Sequence, residues 1–242
     1  MNIIDLIILA LLGFCLVSGM YKGFLTSTLA TLGFAGAWYG ALRTFNYLVE
    51  AVRNNNLVMN TLQGIFAGAD LFKDKAVANL QIGVASSDQI NAAIGGVNIP
   101  FINDLLRGNV TAKAFESIGL TTLGEYLSQT LLLSAINIVS FIVMFAVVYF
   151  AVLLLVNLLD NVFRFPQLKH VDRILGGIFG LVRGLAIVLL IFAIMPTVTA
   201  TLTTLNITAI GDMINGSKFA SIFMQDSTNI VAKFINEMIL LR

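Results

Sequence analysis

Charge is scarce in this chain. Only 11% of its 242 residues are Asp, Glu, Lys or Arg, while 58% are hydrophobic; soluble domains carry about a quarter charged residues. With a mean hydropathy of +0.91, this is the composition of a membrane protein. The formal net charge is +1, and no basic stripe interleaved with aromatics occurs, so nothing points to nucleic acid as a partner. The lone cysteine, Cys15, cannot form an internal disulfide and sits in an apolar run, where it reads as a small buried residue. The lone histidine, His170, lies among basic residues and reads as a headgroup contact rather than a ligand. No metal-ligand cluster, no glycine loop ending in Gly-Lys-Ser/Thr and no Gly-x-Ser-x-Gly elbow is found. The expectation is a protein that is not an enzyme and holds neither cofactor nor metal.

What is abundant is long apolar sequence. A helix crosses a bilayer with about 20 residues, and four segments qualify: roughly Ile3–Met20, Phe24–Phe45, Leu133–Leu159 and Gly176–Val198. The first is not read as a cleaved signal, because Met1–Ile4 carries no lysine or arginine and Asp5 is acidic. Short connections join the first to the second and the third to the fourth. The expected fold is therefore all-α: four transmembrane helices as two hairpins (1–48 and 133–200), an amphipathic helical insert at 49–132 and an amphipathic tail at 201–242. Lys22 in the first short turn, and Arg164, Lys169 and Arg173 in the other, mark those loops as cytoplasmic. Arg43 and Arg53 oppose this from the far end of the second segment, and the balance favours N-out/C-out in the cell membrane.

The insert is too charged to span. Ser86 with Gln89, and Thr122 with Glu125, have capping-box spacing. Gly95-Gly96 and Asn98–Pro100 read as breakers. Leu57, Leu62, Ile65, Leu71 and Leu80 predict short helices with one apolar face, lying on or just above the outer surface of the membrane. In the tail, Ile230, Val231, Phe234, Ile235, Met238 and Ile239 recur at helical spacing, as in an interfacial helix or one packed on the insert.

The most distinctive stretch runs from Asp172 to Gly184. Gly176, Gly180 and Gly184 stand four residues apart, so they line one stripe of a helix. Such a bare stripe lets a second membrane helix approach closely. The second segment offers a partner, with Gly33, Ala37 and Ala41 on one stripe and Gly36 and Gly40 on the next; Gly19 and Gly23 form a further four-step pair. Arg183 lies about 16 Å along the helix from Asp172. A cation at mid-membrane is costly and by default functional. The favoured reading places Arg183 at the cytoplasmic headgroups; the alternative buries it, with Asp160 or Asp5 as counter-ion. Asn137 and Asn157 read as helix-to-helix hydrogen bonders.

These residues resemble the colicin V production protein (CvpA) family. The resemblance rests on Asp5 before the first apolar helix, on Lys22-Gly23-Phe24 at its end, and on Asp172-Arg173 followed by Gly176, Gly180 and Arg183-Gly184. It covers about 1–48 and 133–200, and the long insert departs from the compact members. It implies a bacterial inner- or cytoplasmic-membrane protein needed for production or export of colicin V, a bacteriocin, with no established catalysis. The function expected is an accessory or scaffold role in toxin production, secretion or envelope homeostasis. Its partners would be the lipid bilayer, a second copy of the chain or an envelope or secretion protein. The runner-up is a small oligomeric transporter or channel with Arg183 lining the path.

Overall fold

The computed structural model describes residues 2–66, 72, 74–97, 100–160, 169–204, 213, 214 and 216–220. Among them the chain is helical, with eight α-helices: α1 Ile3–Lys22, α2 Phe24–Arg53, α3 Asn56–Ile65, α4 Lys75–Ala78, α5 Ser87–Gly95, α6 Pro100–Thr111, α7 Leu123–Asp160 and α8 Lys169–Thr204. Extended pairing is confined to a single bridge between Gln81 and Thr122. The chain divides into two compact units, Met1–Leu48 with Val139–Ala193 and Met213–Lys233, and Val49–Ile138 with Ile194–Asp212 and Phe234–Arg242.

Among the described residues three helices are long and apolar enough to cross a membrane: Ile3–Lys22, Leu123–Leu158 and Val171–Phe192. The second expected span, α2, is 30 residues long but falls outside this group. Its sequence explains why, since Thr26, Ser27, Thr28 and Thr31 occupy its first turns and glycines recur at 33, 36 and 40. Those polar groups are turned inward. Thr26 and Ser27 are buried, Ser27 Oγ donates to the Gly19 carbonyl at 3.1 Å, and Thr31 Oγ1 donates to the Phe179 carbonyl at 3.1 Å. Polar groups bonded to neighbouring helices in this way are satisfied without water.

The long helices outrun the apolar sequence that announces them. α7 begins at Leu123 rather than Leu133, because Thr122 and Glu125 cap it there: Glu125 Oε2 accepts the Thr121 and Thr122 amides at 2.9 Å each, and Thr122 Oγ1 accepts the Glu125 amide at 3.3 Å. α8 begins at Lys169 and runs through Pro196 to Thr204. The capping box at Ser86 and Gln89 likewise starts α5, which ends at the glycine pair.

In the first unit α2 and α7 are antiparallel. Phe34 packs against Phe145 and Tyr149, Trp38 against Phe141 and Phe145, and Phe45 against Phe141, with ring centroids 5.1 to 6.5 Å apart. On α7 the rings of Phe141, Phe145 and Tyr149 recur every four residues and stack on one another, so they form a continuous ladder. Aromatic pairs of this kind contribute about 0.5–1.5 kcal/mol each beyond burial. In the second unit the core gathers Ile94 from α5, Ile102 and Leu106 from α6, and Leu123, Leu127 and Leu131 from the start of α7. α3 contributes no buried residue. The expected amphipathic tail helix lies outside the described residues, as do Leu71 and Arg164.

Candidate functional site

The two acidic residues of the sequence motif hold together the two ends of α1. At its start, Asn2 and Asp5 form a capping box: Asn2 Oδ1 accepts the Ile3 amide at 2.6 Å and Asp5 Oδ2 accepts the Asn2 amide at 2.8 Å. The second Asp5 oxygen reaches the C-terminal segment, accepting the Ser217 hydroxyl at 2.6 Å and the Phe219 amide at 3.1 Å. Asn2 Nδ2 adds a bond to the Met213 carbonyl at 2.6 Å. Asp5 is fully buried, as a carboxylate can be when donors surround it.

At the other end, Gly23 breaks the chain between α1 and α2. Its φ of +83° is a backbone region that side chains with a Cβ rarely adopt. Asp172, in the first turn of α8, lies against Gly23 and accepts the Phe24 amide on Oδ1 at 2.8 Å. A residue 148 positions away thus does for α2 what an N-cap does for its own helix. Lys22 and Arg173 flank this junction and are exposed, as basic residues at a headgroup level would be.

The glycine stripe of α8 meets α1. A Cβ added at Gly176 would stand 2.5 Å from the Gly19 carbonyl oxygen and 2.7 Å from the Gly23 carbonyl carbon. One added at Gly180 would run into the Cys15 carbonyl, and one at Gly184 would lie 2.9 Å from the Cys15 Cβ. The pairings run in opposite order along the two chains, so α1 and α8 are antiparallel, backbone against backbone. This corrects the expectation that α2 supplies the partner stripe. On α2, Gly33 and Gly40 face Val152 and Val148 of α7, and nothing lies within 4 Å of a Cβ at Gly36. Gly36 is exposed and packs against no helix among the described residues. The reason is the aromatic ladder, which commits that side of α2 to α7 and leaves the Gly19–Gly23 pair of α1 for α8.

Arg183 is 8% exposed. Its guanidinium is hydrogen-bonded to the Tyr149 hydroxyl on α7. The side chain is thus enclosed by protein at its level of the bundle. α8 is continuous on both sides of Arg183, and the side chain turns inward. Of the counter-ions considered from sequence, Asp5 is engaged at the N-terminus of α1, and the side chain of Asp160 lies outside the described residues. Tyr149 and Ser217 were missed from sequence. The four-residue spacing of Phe141, Phe145 and Tyr149 was the signal available for the first; Ser217 had none.

Among the described residues no group of three or more His, Cys, Asp or Glu could hold a metal. The motif acids are thus occupied with backbone and hydroxyl donors.

The model of the colicin V production protein family matches residues 4–97 and 106–229. The chain belongs to that family. The match takes in both acids, the glycine stripe, Arg183 and much of the insert, so the insert belongs to the family pattern as well. No curated protein and no solved structure matches the chain.

Proposed function

We propose that this member of the colicin V production family is a non-enzymatic accessory or scaffold protein of the bacterial cell membrane, acting in bacteriocin production, secretion or envelope homeostasis. The observation that carries the reading is the use made of the motif residues. Asp5 and Asp172 cap helices, and Gly176, Gly180 and Gly184 bring α8 onto the backbone of α1. Residues so employed build a rigid membrane framework. A framework of this kind presents surfaces rather than performing chemistry.

In this reading α2 is the fourth span. Its exposed Tyr39 hydroxyl accepts from Arg43 Nε and Nη2 at 3.2 and 3.0 Å, a pair suited to a membrane interface. From Phe24 to Arg43 is about 28 Å of helix, close to the thickness of a bilayer core. With four spans in alternating directions, Lys22 and Arg173 lie on the cytoplasmic side, and both termini and the insert lie outside. The partner is an envelope or secretion component met through the insert, or a second copy of the chain.

The test is cross-linking in intact cells that depend on this chain for colicin V export, with photoreactive residues at exposed insert positions such as Leu57 and Val84. Adducts with a secretion or envelope protein, lost when export is lost, are the expected result. Wild-type export by cells lacking residues 56–97 would refute a scaffold working through the insert.

A further inference from the structure

α7 is longer than a bilayer is thick. Its apolar stretch runs from Leu123 to Leu158, about 53 Å of helix, against a hydrocarbon core of about 30 Å. Apolarity does not say which part meets lipid, but exposure does. Val139, Val143, Val147, Phe150, Leu154 and Leu158 are 43–66% exposed. From Leu123 to Ile138 the one exposed residue is Glu125. That first part is coated by the insert: the Leu123 amide donates to the Leu80 carbonyl at 3.0 Å, Asn109 Nδ2 donates to the Thr130 hydroxyl at 2.9 Å, and the Tyr126 ring meets Phe115 at 5.1 Å. The outside of the coat is charged, with Asp88, Asp104, Arg107, Lys113 and Glu116 exposed. Charges turned toward hydrocarbon are costly; turned toward water they are not.

From this we infer that lipid acyl chains meet α7 only from Val139 to Leu158, and that residues 123–138 run through the interior of a water-exposed domain built by the insert. The length fits, since Val139 to Leu158 is about 29 Å of helix, close to one bilayer core. The level fits as well. The middle of that stretch is Val148-Tyr149, and the Tyr149 ring meets Phe34 at 5.5 Å. Phe34 is itself the middle of Phe24–Arg43, the part of α2 that spans in the reading above. α1 supplies a third ruler: its exposed large apolar residues run from Ile3 to Tyr21, about 27 Å. The turn at which Thr122 pairs with Gln81 then stands about 24 Å along α7 from the point where the helix leaves lipid. Helices of the insert face water there rather than lying on the membrane surface. The inference rests on the membrane reading of the long helices, but not on the accessory role or on the side that the insert faces.

The test uses the full chain in phosphatidylcholine nanodiscs, with a nitroxide on one added cysteine at a time. Cys15 is buried and stays in place, and the chain without an added cysteine supplies the blank. The sites are Val139, Val143, Val147, Phe150 and Leu154 on α7, with Arg107 and Lys113 on the insert; all are exposed, so the fold should tolerate the changes. Oxygen, which concentrates in hydrocarbon, is compared as a relaxing agent with a nickel chelate that stays in water. The expected oxygen-to-nickel ratio is highest at Val147 and Phe150, lower at Val143 and Leu154, and severalfold lower again at Arg107 and Lys113. A maximum displaced to Val139, or a lipid-like ratio at Arg107 or Lys113, overturns the placement while leaving α7 in the membrane. A nickel-dominated ratio at every site overturns the placement and the membrane reading together.

Discussion

The Asp172 carboxylate accepts the Phe24 amide at 2.8 Å, so the first turn of α8 caps the first turn of α2. The contact closes the α1–α2 turn from outside, just where Gly23 leaves the helix with a positive φ. It also fixes the level at which α8 enters the bundle, and hence which glycines of α8 face Gly19. Asp172→Ala should lower stability by about 1 kcal/mol, the usual worth of an N-cap. Asp172→Asn should retain most of it, because an amide oxygen can accept the same hydrogen. Denaturant unfolding in detergent micelles checks both; an Asn variant as weak as Ala would show that charge rather than capping matters.

The glycine contacts separate positions that look alike in sequence. Gly180→Ala places a methyl group against the Cys15 carbonyl, and the axes of α1 and α8 must part to admit it. Overpacking of this kind costs about 1–3 kcal/mol. Gly36→Ala meets open space and gains helix propensity, so it should be neutral or stabilising by up to about 1 kcal/mol. Thermal unfolding of the two variants in parallel reads the contrast. Equal destabilisation would place α8 against α2 after all.

Cys15 reports on the same interface without further engineering. It is buried at 5% exposure, with α8 closing over it at Gly180 and Gly184. A membrane-permeant maleimide should react with the native protein slowly. Gly184→Leu, which drives a side chain into the Cys15 Cβ at a position where a methyl alone would come within 2.9 Å, should speed labelling at least tenfold at temperatures where the fold persists. A rate unchanged by this substitution would mean that the thiol is reached by another route.

How much of this could be read in the sequence follows from which interactions are local. The composition, the three apolar spans and the capping boxes at Ser86 and Thr122 depend on neighbouring residues, and the sequence reading and the structure agree on them. The stripe of Gly176, Gly180 and Gly184 was visible as a surface made for close approach, but periodicity names no partner. α1 and α2 both present small residues, and the choice is made by Phe34, Trp38, Phe141 and Phe145, whose rings lock α2 to α7. Arg183 was legible as costly but not as buried, because its direction depends on Tyr149, 34 residues earlier in the chain. The role of Asp5 depends on Ser217 and Phe219, more than 200 residues away, and no short pattern could have shown it.

The aromatic ladder makes its own prediction. Phe145 touches Phe34, Trp38, Phe141 and Tyr149, and Phe145→Ala removes the rung that the others share. The expected cost is about 3–5 kcal/mol, with a shift in Trp38 emission as its environment loosens. Phe150, on the outer side of the same helix at 65% exposure, should cost little when changed to Leu. Emission spectra and unfolding midpoints of the two variants give the comparison, and similar losses would deny the ladder its role.

The last relationship concerns the C-terminal segment. Asp5 is buried, yet the groups that surround it come from the first residues of the chain and from 217–219. The carboxylate is therefore the point at which the start of α1 meets residues 217–219. Ser217 donates to Asp5 at 2.6 Å and also accepts the Ala220 amide at 3.0 Å, so its hydroxyl relays the contact into the turn that follows. Ser217→Ala removes both bonds and leaves the Phe219 amide on Asp5 and the Asn2–Met213 bond in place. Asp5→Ala removes the bonds from both Ser217 and Phe219. Limited proteolysis should then cut near 217–220 faster in Ser217→Ala, and at least tenfold faster in Asp5→Ala, than in the wild type. Asp5→Asn can still accept from Phe219 but must turn an N–H toward either the Asn2 amide or Ser217, and it should fall between the two. Graded cutting in that order requires that Asp5 acts through its bonds to the segment. Equal protection in all variants would leave the segment held by something other than Asp5.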